Sequence, residues 1–233
     1  MKIENIEVSG FKSAFRGMRN PLNSWSKSDS CDLNKIERDQ ISLDDERCGY
    51  HVGENDFNLA QRLIRAGSSD CKFLRQINVS CDITAPLYWW KEMDQYKVGT
   101  VTNSTSTMHK LASTPITKEC FEWDDFNDVI AFRTESIRVS DFWSELIVVC
   151  EDLRKKYLET KDKKYWKELI RLLPESWLQT RTWSANYAIL RNIYFQRRNH
   201  KLSEWNTFCE AISKMPYANY LICYDPKSVQ SDL

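Results

Sequence analysis

The chain has 233 residues, of which 33 are basic and 33 acidic, so its formal net charge is zero. That balance excludes a general nucleic-acid binder, which needs a basic surplus or a strongly segregated basic face; it leaves room for a local cationic pocket that holds one phosphate. Hydrophobic content of 42% with 28% charged residues fits an ordinary globular protein with a proper buried core. The eight cysteines form no C-x-x-C pair and suggest no zinc site. His51, His109 and His200 are isolated along the chain, which offers neither a metal triad nor Ser-His-Asp logic. The alternating N-terminus does not resemble a signal peptide. No apolar run is long enough to span a membrane. These features read as reduced thiols in a cytoplasmic protein.

Residues 2–10 alternate through Ile3, Ile6 and Val8 and predict a first strand, broken by Gly10. Phe11 to Arg19 predicts a short helix stopped by Asn20-Pro21. Residues 22–55 are rich in Ser, Asp and Asn and read as a loop insertion, with at most one short helix near Leu33 to Ile41. Residues 56–66 have helical periodicity, with Asn55 or Asp56 as cap and Gly67 as stop. A strand follows from Phe73 to Ile83, then a helix opened by Pro86 and ended by Gly99. Thr100 to Thr107 reads as a hydroxyl-rich loop, able to hold a phosphate or simply solvated. Residues 109–125 read as irregular, with Glu119, Glu122, Asp124 and Asp125. A long helix starts at Ser140 or Asp141, with Phe142, Leu146, Val149, Cys150, Leu153 and Tyr157 as its inner stripe. A second helix runs from Tyr165 to Leu173.

Two blocks carry a family resemblance. The first is Ala85-Pro86-Leu87-Tyr88-Trp89-Trp90, continued by Gln95-Tyr96-Lys97 and Asn103-Ser104-Thr105-Ser106-Thr107. The second is Leu173-Pro174, then Arg181-Thr182-Trp183-Ser184-Ala185-Asn186, Leu190, Asn192, Arg197 and Lys201. Together they resemble the flavin-dependent thymidylate synthases, the ThyX family. That family has a helix opening with Ala-Pro and ending in Arg-His-Arg, a loop with a signature Ser, and later a Thr-x-x-x-Asn helix. The resemblance implies an α/β (α+β) ThyX-like fold, an antiparallel-rich central sheet flanked by long helices, as one domain over residues 1–233. It also implies a homotetramer with sites at subunit junctions, using FAD, dUMP, NADPH and methylenetetrahydrofolate to make dTMP.

Carried over position by position, the resemblance places Arg197 on the pyrimidine side and Thr105 and Ser106 at the signature Ser. It places Gln95, Tyr96, Lys97, Thr100, Asn103, Asn186, Asn192 and Lys201 as nucleotide or cofactor contacts. Much of the charge has changed. Gln95-Tyr96-Lys97 stands where the family has Arg-His-Arg, Ala188 and Thr107 replace arginines, and Lys201 replaces a histidine. At roughly 1.5–3 kcal/mol for each hydrogen bond to a charged group, losing two or three cations weakens an FAD site by several powers of ten, unless Lys91, Arg75 or Lys72 compensates. Each candidate has a plainer alternative. Arg197 is also consistent with a surface salt bridge, the two asparagines with a helix cap or a satisfied amide, and Trp89, Trp90 and Trp183 with core packing. Two functions follow: an enzyme of pyrimidine deoxynucleotide metabolism, or a non-catalytic relative that senses or sequesters a nucleotide.

Overall fold

The protein is described by a computed structural model covering residues 1–123, 131–132 and 137–226; Asp124, Asp125 and the His109 side chain lie outside the described residues. In chain order the regular elements are β1 (Lys2–Ser9), α1 (Phe11–Met18), β2 (Cys31–Asp32), α2 (Leu43–Cys48), β3 (Tyr50–His51) and α3 (Glu54–Ala66). Then come β4 (Asn78–Pro86), α4 (Leu87–Met93), β5 (Val101–Ser104), α5 (Thr107–Lys110), β6 (Ala131–Phe132), β7 (Ile137–Arg138) and α6 (Val139–Thr160). The chain continues with α7 (Lys163–Leu172), β8 (Leu178–Asn186), α8 (Tyr187–Arg197), α9 (Ser203–Ser213) and α10 (Ala218–Leu221). The main sheet has the order β1-β4-β8-β5. Ser80 bonds Ser184 at 2.5 Å, Thr182 bonds Asp82 at 2.6 Å and Thr84 bonds Thr180 at 2.7 Å, so β4 and β8 run in opposite directions.

The chain divides into two compact units, and β4 and β8 each contribute to both. The α8 unit holds Ile3–Asp82, Tyr96–Thr102 and the chain from Thr182 onward. Its core starts with α1, where Phe11, Ala14, Phe15 and Met18 recur at helical spacing and are all buried. Phe11 meets the Tyr187 ring edge-on at 5.6 Å, and Phe15 meets Phe73 at 5.9 Å. Gly10 is required where α1 begins. Its φ is +96°, and a Cβ there would lie 2.1 Å from the Gln76 carbonyl oxygen.

Several expectations change in this unit. The short helix of the 22–55 segment is α2, at Leu43–Cys48 rather than 33–41, and a Ser42–Asp45 capping box fixes it. Residues 33–35 and 38–40 form only 3₁₀ turns. The N-cap of α3 is Gly53, not Asn55 or Asp56. Asp29, brought from the preceding segment, accepts from the Asn55 and Asp56 amides at 2.8 and 3.1 Å, supplying the negative charge a helix start favours. The strand read from Phe73 begins only at Asn78. Phe73 and Leu74 are consecutive and both buried, which a period of two forbids and the 3₁₀ turn Lys72–Gln76 allows. From Val79 the alternation is regular, with Val79, Cys81, Ile83 and Ala85 inward.

The helical-hairpin unit holds Ile83–Gln95 and Asn103–Arg181, with Met1 and Lys2. Leu111, Ile116, Phe121, Cys150 and Leu169 form its core cluster, flanked by Trp143, Leu146, Ile147 and Trp177. Pro86 is the N-cap of α4 rather than its first residue, and the helix stops at Met93, before Gly99. Thr100–Thr107 is not a loop throughout, since β5 occupies Val101–Ser104. The inner stripe of α6 holds at Leu146, Cys150, Leu153 and Tyr157 but not at Phe142 and Val149, which are 58% and 43% exposed; Trp143, Ile147 and Arg154 turn inward beside it. The cap of α6 is Arg138, whose amide donates to Asp141 at 3.3 Å. All eight cysteines are free thiols, and no helix among the described residues is long and apolar enough to cross a membrane.

An ion pair ties α6 to the segment before it. Arg154, 8% exposed, donates to Glu151 at 2.7 and 2.6 Å and to the Ala112 carbonyl at 3.1 Å, and Glu151 accepts the Ile116 amide at 2.8 Å. The hydrogen bonds from Arg154, the largest cause, pull the Glu151 carboxyl down to about 2 from an ordinary 4.5. A lowered folded-state pKa means stability present above pH 4.5 and lost as pH falls toward 2. Glu151→Gln should therefore cost about 2 kcal/mol at pH 7, after solvent screening, and almost nothing at pH 2. Urea unfolding at the two pH values measures this. An equal cost at both would show that the charge is not responsible.

Candidate functional site

Of the expected site residues, Tyr96, Thr100, Asn186, Asn192 and Arg197 lie on α8 or in the segment Tyr96–Thr102, both in the α8 unit. The N-cap of α8 is Asn186, whose Oδ1 accepts the Ile189 amide at 3.2 Å. The plainer reading of this asparagine, a helix cap, is what its oxygen does. The segment Tyr96–Thr102 lies along the helix. Thr100 Oγ1 donates back to the Tyr96 carbonyl at 2.6 Å, which tightens the turn. Gly99 has φ +73°, and a Cβ there would lie 2.8 Å from Ile189 Cδ1, so only glycine lets the segment approach the first turn of α8.

At the other end of α8 is a small polar and aromatic cluster. Arg197 Nε donates to the Tyr96 hydroxyl at 2.9 Å, and that hydroxyl donates to Gln196 Oε1 at 2.8 Å. Gln196 Nε2 donates to Asn192 Oδ1 at 2.9 Å, one helical turn earlier. The Arg197 guanidinium stands 4.8 Å from the Trp205 ring centre and 5.7 Å from that of Tyr96. Trp205 is fully buried, so the cation rests on a fixed aromatic surface. The arrangement holds a planar cation in one orientation, as recognition of a carbonyl edge or a phosphate requires.

The remaining expected residues are dispersed. Lys97 is exposed, and Lys201 is exposed beyond the end of α8. Asn192 lies on a different side of α8 from Arg197, reached through Gln196. Gln95, Asn103, Thr105 and Ser106 belong to the helical-hairpin unit. There Gln95 Nε2 donates to the Lys91 carbonyl at 3.2 Å. Thr105 gives both its amide and its hydroxyl to the Thr180 carbonyl, at 2.9 and 3.2 Å. Asn103 is exposed in β5, and the Ser106 carbonyl accepts the Lys110 amide at 2.9 Å.

Arg181, part of the second resemblance block, was given no role by the sequence. In the helical-hairpin unit its guanidinium lies 4.1 Å from the Trp90 ring centre, bonds Asp94 at 2.8 Å and bonds Gln179 at 2.9 Å. The signal was present in the period of two along β8, which puts Gln179 and Arg181 on one face. Trp89, Trp90 and Trp183 are all buried core residues. The histidines that look isolated in sequence have partners: His51 Nδ1 is 3.2 Å from Asp45, and His200 Nδ1 accepts the Leu202 amide at 3.2 Å. Burial pushes the thiols of Cys48 and Cys81 up to about 12 and that of Cys209 up to about 11, away from nucleophilic use near neutral pH. Among the described residues no group of three His, Cys, Asp or Glu side chains could hold a metal ion.

No protein-family model matches the chain, and no curated protein matches it. Solved structures do. A flavin-dependent thymidylate synthase ThyX from Helicobacter pylori, complexed with FAD and dUMP, superposes with a TM-score of 0.61 at 16% identity, covering 95% of this chain and 98% of that one. A second structure of ThyX from that organism, with FAD and dUMP, gives 0.61 and 16% over 95% and 97%. At this identity the likeness speaks to architecture: the chain has a ThyX-like fold of helices around an antiparallel-rich sheet.

Proposed function

We propose that the chain is a ThyX-like protein of pyrimidine deoxynucleotide metabolism that binds a pyrimidine nucleotide, with Arg197 meeting the ligand. The observation that carries this reading is the orientation of Arg197, stacked 4.8 Å from Trp205 and bonded to the Tyr96 hydroxyl at 2.9 Å. A guanidinium oriented before the ligand arrives loses little freedom on binding. Lys97, next to Tyr96, and Lys201, four residues beyond Arg197, add positive charge for a phosphate. In this reading the protein is a homotetramer with sites at subunit junctions, where Thr105, Ser106 and Asn103 would meet the ligand.

FAD carries a diphosphate, and the residues at the signature position fit it poorly. The Gln95 amide is bonded to the Lys91 carbonyl, the Tyr96 hydroxyl is bonded to Arg197 and Gln196, and Lys97 alone of the three brings charge. We therefore assign no hydride or methylene transfer to this chain. The Tyr96 bonds favour the second reading, a non-catalytic protein that senses or sequesters its nucleotide. The two are separated by the visible absorbance of purified protein after FAD addition and dialysis, with dUMP titrated by calorimetry. Retained flavin bands, with NADPH oxidised when dUMP and methylenetetrahydrofolate are supplied, would make it an enzyme. Binding of dUMP by colourless protein is the expected result. Absence of both would overturn the nucleotide reading.

A further inference from the structure

In the helical-hairpin unit, the segment leading to Trp123 and the first turns of α6 border a cavity of about 580 Å³. Its apolar walls are Ile116, Ile147 and Trp123, and its polar groups are Lys118, Ser140 and Ser144. The Trp123 ring is fixed: Nε1 donates to the Lys118 carbonyl at 2.7 Å, and the ring meets that of Trp143 at 5.1 Å. The Lys118 ammonium lies 4.7 Å from the Trp123 ring centre, so one positive charge stands at an aromatic wall. Among the described residues no aspartate or glutamate lines the cavity. The carboxylates near it are occupied elsewhere. Glu119 accepts the Thr117 hydroxyl at 2.6 Å, the main cause of its lowered pKa, and Lys118 acts on it only at longer range. Glu151 serves Arg154 and the Ile116 amide, and Asp141 accepts the Arg138 amide. Ser144 donates its hydroxyl to the Ser140 carbonyl at 2.9 Å, whereas the Ser140 hydroxyl has no hydrogen bond among the described residues.

We propose that this cavity binds a small aromatic carboxylate, its ring held among Ile116, Ile147 and Trp123 and its carboxylate taking the Lys118 ammonium and the Ser140 hydroxyl. A single ammonium with one hydroxyl donor matches a monoanion rather than a phosphate dianion. The Trp123 N–H is already bonded, so that wall offers a ligand its ring and no donor, which suits an aromatic body. An apolar lining with a few convergent polar groups is the usual make-up of a small-molecule site, and the volume falls within the range such sites have. All of these residues belong to the helical-hairpin unit, and none is assigned to the nucleotide. The inference does not rest on the role given to Arg197.

Calorimetry with 2-naphthoate tests this, with 2-naphthamide as its uncharged counterpart. The acid should bind at least about tenfold more tightly than the amide. Lys118→Met keeps the apolar stem and removes the charge; it should weaken the acid about tenfold and leave the amide unchanged, and Lys118→Arg should lose less. Ser144 is exposed, so Ser144→Trp leaves the packing of α6 intact while its ring fills the cavity, and it should abolish binding of both probes. Arg197→Ala should change neither, so failure here is distinguishable from failure of the dUMP reading. No binding of 2-naphthoate at millimolar concentration, equal affinity for acid and amide, or unchanged acid affinity in Lys118→Met would overturn the proposal. So would retention of both probes by Ser144→Trp, or a loss in Arg197→Ala, which would place the acid in the nucleotide site.

Discussion

Asp56→Ala should destabilise the protein by about 3–5 kcal/mol. Asp56 is fully buried and accepts four hydrogen bonds: from Arg19 Nε at 2.5 Å, the Ser28 and Ser30 hydroxyls at 2.6 Å each, and the Ser30 amide at 3.3 Å. Arg19 is only 3% exposed, so removing the carboxylate strands a buried guanidinium with no counter-charge. Nη2 of Arg19 already has no hydrogen-bond partner among the described residues. The two serines also lose their acceptor, and with them the 28–30 segment loses its attachment to α3. Replacing both Arg19 and Asp56 with apolar residues of similar volume should cost much less than the sum of the single losses. Urea unfolding of the single and double variants measures both numbers. A loss below about 1 kcal/mol for Asp56→Ala would mean that water reaches the pair.

That pair also shows what the sequence concealed. The polarity of residues 22–55 reads as a loop, because Ser, Asp and Asn favour turns and solvent. What polarity does not reveal is that Ser28, Asp29 and Ser30 are spent on one short stretch of α3, from Gly53 to Asp56. Pairings between residues more than twenty apart leave no local periodicity. Where burial follows a period, the sequence was sufficient: α1, α3, α7 and the alternation from Val79 to Ile83 were legible as such. Where two periods agree over a short span, it was not. Phe73 and Ile77 suit a strand until Leu74 proves buried as well. For α6 the stripe through Leu146, Cys150 and Leu153 was legible, but whether Phe142 or Trp143 continues it is decided by long-range packing, Trp143 meeting Phe121 and Trp123.

The candidate site was legible in a similar, partial way. Spacing alone put Asn186, Leu190, Ile193, Arg197 and Lys201 on one face of a helix; α8 ends at Arg197, so Lys201 falls outside it. Whether Asn186 would cap that helix or meet a ligand depends on whether its backbone is already extended, as it is at the end of β8. The bond between Tyr96 and Arg197 joins residues about a hundred apart and could not be read from either motif. It changes the meaning of Gln95-Tyr96-Lys97. Compared with the family's Arg-His-Arg the tripeptide is a loss of charge, but in the fold its tyrosine sets the position of Arg197.

Arg197→Ala should weaken dUMP binding by about a hundredfold, the equivalent of two hydrogen bonds to a charged group. Arg197→Lys should recover only a small part, because an ammonium keeps the charge but neither the planar pair of donors nor the stacking on Trp205. Tyr96→Phe removes the hydroxyl that accepts from Nε while keeping the ring, and should weaken dUMP by about fivefold through loss of orientation. If Tyr96 acts through Arg197, the same change made on top of Arg197→Ala should have no further effect, and the coupling in the double-mutant cycle should equal the whole Tyr96→Phe loss. Additive losses would instead mean that Tyr96 touches the nucleotide itself. Unchanged dUMP affinity in Arg197→Ala would remove the arginine from the site, and with it the observation on which the nucleotide reading stands.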